Sequence, residues 1–190
     1  MKNICYTVLD TFSCDDGDKW DKYIEWSKIS HVSEIISLDT MLCPSIIEDY
    51  TENDWKYQSE ETDIHGLFTS FDYVIQCAKD AKHFQILAVL KEPNSENWKT
   101  KLPIDFIFKG YDLIDDETMI SALTNCGGFP ESFSNSDLNR NGLIQELNNA
   151  IDIRNRLKIN NPDEAHADCS IYGIARLDNF NKTTKNEKSQ

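Results

Sequence analysis

PIDFIFKGYDLIDDETMISALTNCGGFPESFSNSDLNRNGLIQEL, residues 103–147, is the stretch that decides the fold. Ile104, Phe106 and Phe108 alternate with Asp105, Ile107 and Lys109. That period of two predicts a strand with one well-buried face. Gly110 sits where a bulge is expected, and Tyr111 to Ile114 carry the strand to its end. Asp115 then reads as an N-cap, with Asp116 and Glu117 in a first turn where the helix dipole favours negative charge. Met119, Ile120 and Leu123 would line a short helix, which Asn125-Cys126-Gly127-Gly128 would stop. Ser134 with Asp137 reads as a second capped turn, closed at Asn141-Gly142. Leu143, Leu147, Ala150, Ile151 and Leu157 give a helical stripe that ends near Pro162.

Working outward, Phe84 to Leu90 is apolar and rich in strand formers, so it reads as a central strand buried on both faces. Its short connection to the strand at 103–114 predicts an antiparallel pair. Upstream, Thr69 with Asp72 reads as a helix cap, and Phe68 with Tyr73 as a hydrophobic staple. Phe71, Val74, Ile75, Ala78 and Ala81 form the inner stripe, with Lys79 and Lys82 in the last turn and His83 ending the helix. Residues 3–10 read as a buried first strand, and Glu34 to Leu38 as a second. Between them, Ser13 to Asp18 starts a helix whose inner face is Trp20, Tyr23, Ile24 and Ser27. Cys169 to Leu177 is a final strand. The order β-α-β-α-β-β-α-β predicts an α+β fold. Residues 1–178 form one compact domain, with a mixed, mostly antiparallel sheet of about five strands and three main helices packed against it. The polar tail 179–190 is expected to be disordered.

The segments at 36–44, 66–75, 86–93, 110–128, 133–144 and 169–177 resemble a family of small, stand-alone acidic bacterial proteins. The resemblance spans nearly the whole chain. It implies a single compact domain and brings no activity, ligand or catalytic residue with it.

The formal net charge is −14, and it is lopsided. Residues 1–64 hold 15 acids and 5 lysines, a balance of −10. Residues 65–190 hold 18 acids and 14 basic residues, a balance of −4. Such a chain repels phosphate backbones and anionic membrane surfaces, so neither nucleic acid nor membrane is an expected partner. A basic protein is the complementary expectation. No apolar run approaches the roughly 18 residues of a spanning helix. The N-terminus lacks the basic and apolar blocks of a secretory signal, so a cytoplasmic location is expected. Cysteines 5, 14, 43, 77, 126 and 169 are widely and irregularly spaced, which predicts free thiols and neither a metal site nor a cofactor.

Three functional readings follow. In the first, the acidic and aromatic run Glu48, Asp49, Tyr50, Glu52, Asp54, Trp55, Tyr57, Glu60 and Glu61 is a recognition surface, tied to the core by Ile46 and Ile47. The acids would steer a basic partner and the rings would anchor it. The concrete form is an immunity or inhibitor protein that neutralises a basic toxin. The second reading is an enzyme. Either Cys126 or Cys77 would be its nucleophile with His65 or His166 as base, or Asp112, Asp115 and Asp116 would do acid–base work. The third reading is an accessory or structural protein with an unknown partner.

Overall fold

The computed structural model describes residues 3–47, 66–125 and 131–178. The acidic run, His65, Cys126 and the tail therefore lie outside the described residues. The strands are β1 (Cys5–Asp10), β2 (Phe12–Ser13), β3 (Glu34–Ile35), β4 (Phe84–Lys91), β5 (Phe106–Asp115), β6 (Ile120–Ser121) and β7 (Ser170–Leu177). The helices are α1 (Asp18–Ser27), α2 (Phe71–Ala78) and α3 (Leu147–Asn160). Five strands form one sheet in the order β1-β4-β7-β5-β6, and β2 pairs with β3 in a separate ribbon. Every pairing is antiparallel, as an α+β domain with local hairpins and long returns allows.

The apolar run of β4 is explained by cover on both faces. Ile86 and Ala88 pack with Val74, Cys77 and Ala78 of α2, while Leu87 and Val89 pack with Ile36, Leu38 and Leu143 on the other side. Each fully buried aliphatic side chain contributes about 1.5–3 kcal/mol over an exposed one. At the far end of the sheet, Tyr111, Leu113 and Ile171 join Leu147, Ala150, Ile153 and Leu157 of α3. Helix α1 buries Trp20, Tyr23 and Ser27. Phe12 meets Trp20 and Tyr23 edge-on at 5.3 and 5.2 Å. The preceding turn is closed by a capping box between Ser13 and Asp16. Ile46 and Ile47 do anchor their end of the chain, beside Phe68 and α2.

Several expectations are corrected. β4 and β5 are not paired with each other, because β7 lies between them. The link from β4 to β5 is not a hairpin; it arches over β7, and its Trp98 packs on Gly173. Ile104 is 90% exposed and precedes the strand, since Asp105 at φ +79° breaks the extended run. The bulge at Gly110 is present, where a side chain would strike Leu143 and the Ile144 carbonyl.

Residues 116–123 form no helix. Asp115 caps a tight turn, accepting from the Glu117 amide at 2.9 Å and the Thr118 hydroxyl at 2.9 Å, and the chain then enters β6. The cap of α2 is Ser70 rather than Thr69; its hydroxyl accepts from the Tyr73 amide at 3.2 Å. The Phe68–Tyr73 ring contact is made, at 4.9 Å. Helix α2 stops at Ala78, so Ala81, Lys82 and His83 lie beyond it. Glu34–Ile35 is strand only in the small ribbon, and residues 36–38 continue as buried chain. Helix α3 begins at Leu147, not Leu143. Ile144 instead bridges to Tyr111 and Leu138.

Candidate functional site

The register places Lys91, Tyr172 and Asp112 side by side across β4, β7 and β5. In an antiparallel sheet such direct partners share a face, so these three side chains form one polar row across it. At its outer end Asp116 gathers three donors. The Tyr172 hydroxyl donates to Oδ1 at 2.6 Å, the Ser170 hydroxyl to Oδ2 at 2.7 Å, and Lys91 Nζ pairs with Oδ2 at 2.8 Å. Burial pushes the Asp116 carboxyl up, but these three partners together hold it below its ordinary range.

Of the residues expected to do acid–base work, the structure does bring Asp115, Asp116 and His166 to one end of the sheet. His166 Nδ1 stands 4.0 Å from Asp115 Oδ2. That is beyond hydrogen-bond length. Both Asp115 oxygens already serve the 116–119 turn. Cys126 lies outside the described residues, and Cys77 is in the core between α2 and the sheet. Cys43 is buried as well, and burial pushes its thiol up to about 12.

Deeper in, two fully buried carboxylates share a network. Asp112 accepts from the Ser37 hydroxyl at 2.5 Å, the Ser121 hydroxyl at 2.7 Å and the Leu113 amide at 2.8 Å. Asp39 accepts from the amides of Met41, Leu42 and Ser121 and from the Asn125 side chain, at 2.8–3.0 Å. The network ties the 36–43 segment to β5 and β6. Burial pushes Asp112 up to about 6, against the opposing pull of Ser37, Ser121 and the Leu113 amide. Chemically, the carboxylates of this region are occupied by the fold: Asp39, Asp112, Asp115 and Asp116 each hold two or more internal donors. A general base needs a lone pair aimed at substrate.

Sequence reasoning missed Lys91, Ser170, Tyr172, Ser37 and Asp39. Their signal is a polar residue at an inward position of a buried run, which becomes visible only once the register is known.

Elsewhere, an open cleft of about 550 Å³ runs between Asp16 and Lys19 on one side and Lys82 and His83 on the other, over Tyr23 and Met41. α1 and its leading turn expose Asp15, Asp16, Asp18, Asp21 and Glu25 together with Lys19 and Lys22, and Trp26 of the same helix is 50% exposed. Among the described residues no group of three or more His, Cys, Asp or Glu side chains converges to hold a metal ion, and no helix is long and apolar enough to cross a membrane. Comparison with family models, with curated proteins and with solved structures gives no match.

Proposed function

We propose that this protein is an acidic protein-binding module, in its concrete form an immunity or inhibitor protein that neutralises a basic toxin. The observation that carries the reading is the charge distribution. Residues 48–63 hold seven acids against Lys56, with Tyr50, Trp55 and Tyr57 among them. Acids at that density repel one another. A basic partner turns the repulsion into attraction, speeds encounter and leaves the rings to anchor the complex. The exposed residues of α1 and its leading turn support the same reading, because Asp15, Asp16, Asp18, Asp21 and Glu25 outnumber Lys19 and Lys22, with Trp26 exposed on the same helix. The internal donors held by the sheet-end carboxylates support a binder over an acid–base enzyme.

The test uses two baits in parallel on an extract of the source cells: the full chain, and the full chain with Glu48→Lys, Asp49→Lys, Glu52→Lys and Asp54→Lys. The proposal expects a protein of net positive charge, identified by mass spectrometry, to be held by the first bait and lost from the second. Equal retention of the same proteins by both baits would overturn it.

A further inference from the structure

Residues 105–109 read Asp-Phe-Ile-Phe-Lys. The order is the same from either end, except that one end is a carboxylate and the other an ammonium. Antiparallel pairing of Phe106–Phe108 with a second copy, centred on Ile107, sets Ile107 opposite Ile107 and Phe106 opposite Phe108, and brings the turn residue Asp105 of each copy toward Lys109 of the other. Aromatic pairs and opposite charges in such positions are favourable.

Among the described residues the matching backbone edge is uncovered. On one side β7 sets Leu177, Arg176 and Ala175 against Phe106, Ile107 and Phe108. The Asp178 amide donates to the Asp105 carbonyl at 3.2 Å. Bonding positions alternate along an antiparallel ladder, so Ile107 turns its N–H and C=O toward β7 while Phe106 and Phe108 turn theirs away. On that outer side the Phe106 amide donates to the Pro103 carbonyl at 3.2 Å. The Phe106 carbonyl and both backbone groups of Phe108 bond to no described residue. Cover resumes at the next residue, where Asn139 Nδ2 donates to the Lys109 carbonyl at 2.7 Å. Ile144 then exchanges both backbone bonds with Tyr111. The gap is therefore confined to Phe106–Phe108, beside Ile107, which is 50% exposed. Proteins ordinarily blunt an apolar open edge with charge, a bulge or a covering segment.

We propose that β5 pairs with β5 of a second copy of this chain, in an antiparallel seam about a two-fold axis at Ile107. In that seam each Phe108 N–H donates to the Phe106 carbonyl of the other copy. Both copies bury Ile107, and Asp105 of each approaches Lys109 of the other. In its own copy Lys109 pairs at 3.0 Å with Asp178, which follows β7, and the second carboxylate shares that ammonium. The seam is short beside the roughly 1,600 Å² of a standard interface, which makes the dimer a weak one.

Sedimentation equilibrium of the full chain, from micromolar to sub-millimolar protein, tests this. A monomer–dimer equilibrium is expected, and Ile107→Lys abolishes it. Asp105→Lys alone and Lys109→Asp alone each weaken it about tenfold, since each makes two like-charge pairs per seam. An equimolar mixture of the two variants restores association. In the mixed seam the new ammonium at position 105 of one copy meets the new carboxylate at position 109 of the other, and the two unsubstituted ends pair as in the wild type. Circular dichroism melts confirm that each variant is folded. A wild-type monomer throughout, a dimer indifferent to Ile107→Lys, or a mixture no stronger than its components would each overturn the seam. Pairing of this edge with a different protein alone would appear as a wild-type monomer and so counts against it.

Discussion

Trp98 lies so close to Gly173 that a methyl group on Gly173 would run into the indole ring. This contact fixes the arch from β4 to β5 across β7, and it explains why a small residue stands in the middle of an otherwise bulky strand. Gly173→Ala is predicted to cost about 1–3 kcal/mol by overpacking, read as a lower urea midpoint. Trp98→Leu also destabilises, but the double variant loses less than the sum, because the two share one contact. Additive losses would show that the ring does not rest on the strand.

Glu96 tethers the start of α3. Its Oε1 accepts from the Leu147 amide at 2.9 Å and its Oε2 from the Tyr111 hydroxyl at 2.8 Å, with Lys99 paired alongside. Glu96→Ala leaves a helix-end amide and a tyrosine hydroxyl without acceptors. A loss of about 1–3 kcal/mol is expected, with amide exchange rising first at the N-terminus of α3. Glu96→Gln, which keeps an acceptor, is expected to lose less. Equal losses would assign the effect to charge alone.

Asp112 predicts a pH dependence of unusual sign. Its carboxyl is raised to about 6 in the fold by burial. In the unfolded chain it returns to about 3.9. Between those values the native state binds more protons than the unfolded one, so stability falls as pH rises from about 4 to about 6. The amplitude is about 2–3 kcal/mol. Glu96 and Asp116, whose carboxyls are held low, act oppositely and lose their contribution as pH falls toward theirs. Urea midpoints of the wild type and Asp112→Asn across this range separate the two. The variant's profile lacks the fall, and identical profiles would refute the assignment.

Much of the fold was legible because it is local. The apolar runs in Phe84–Lys91 and Ser170–Leu177, the turn that starts at Ser13 and the Phe68–Tyr73 staple are set by neighbours in sequence. The position of β7 between β4 and β5 was not, since it depends on a return from far along the chain. The helix expected after Asp115 failed for a different reason. A carboxylate accepting from groups two and three residues on is the signature of a tight turn as well as of a helix start, and here the turn leads into β6. Leu143 fits a helical stripe, but the next residue, Ile144, exchanges backbone bonds with Tyr111 and the helix starts only at Leu147. In the candidate site, Asp115, Asp116 and His166 were legible as residue types. The row of Lys91, Tyr172 and Asp112 exists only through pairing register and had no sequence signature.

The central claim is that the acidic run steers a basic partner. It is tested most directly by the association rate constant of the full chain with the basic protein recovered on the wild-type bait, measured across a salt series. The rate is predicted to fall steeply as salt rises toward physiological strength, where the Debye length is about 8 Å. Reversal of Glu48, Asp49, Glu52 and Asp54 should slow association, while Trp55→Ala should chiefly speed dissociation, by about 1–3 kcal/mol in affinity. An association rate indifferent to salt and unchanged by the four reversals would contradict the account.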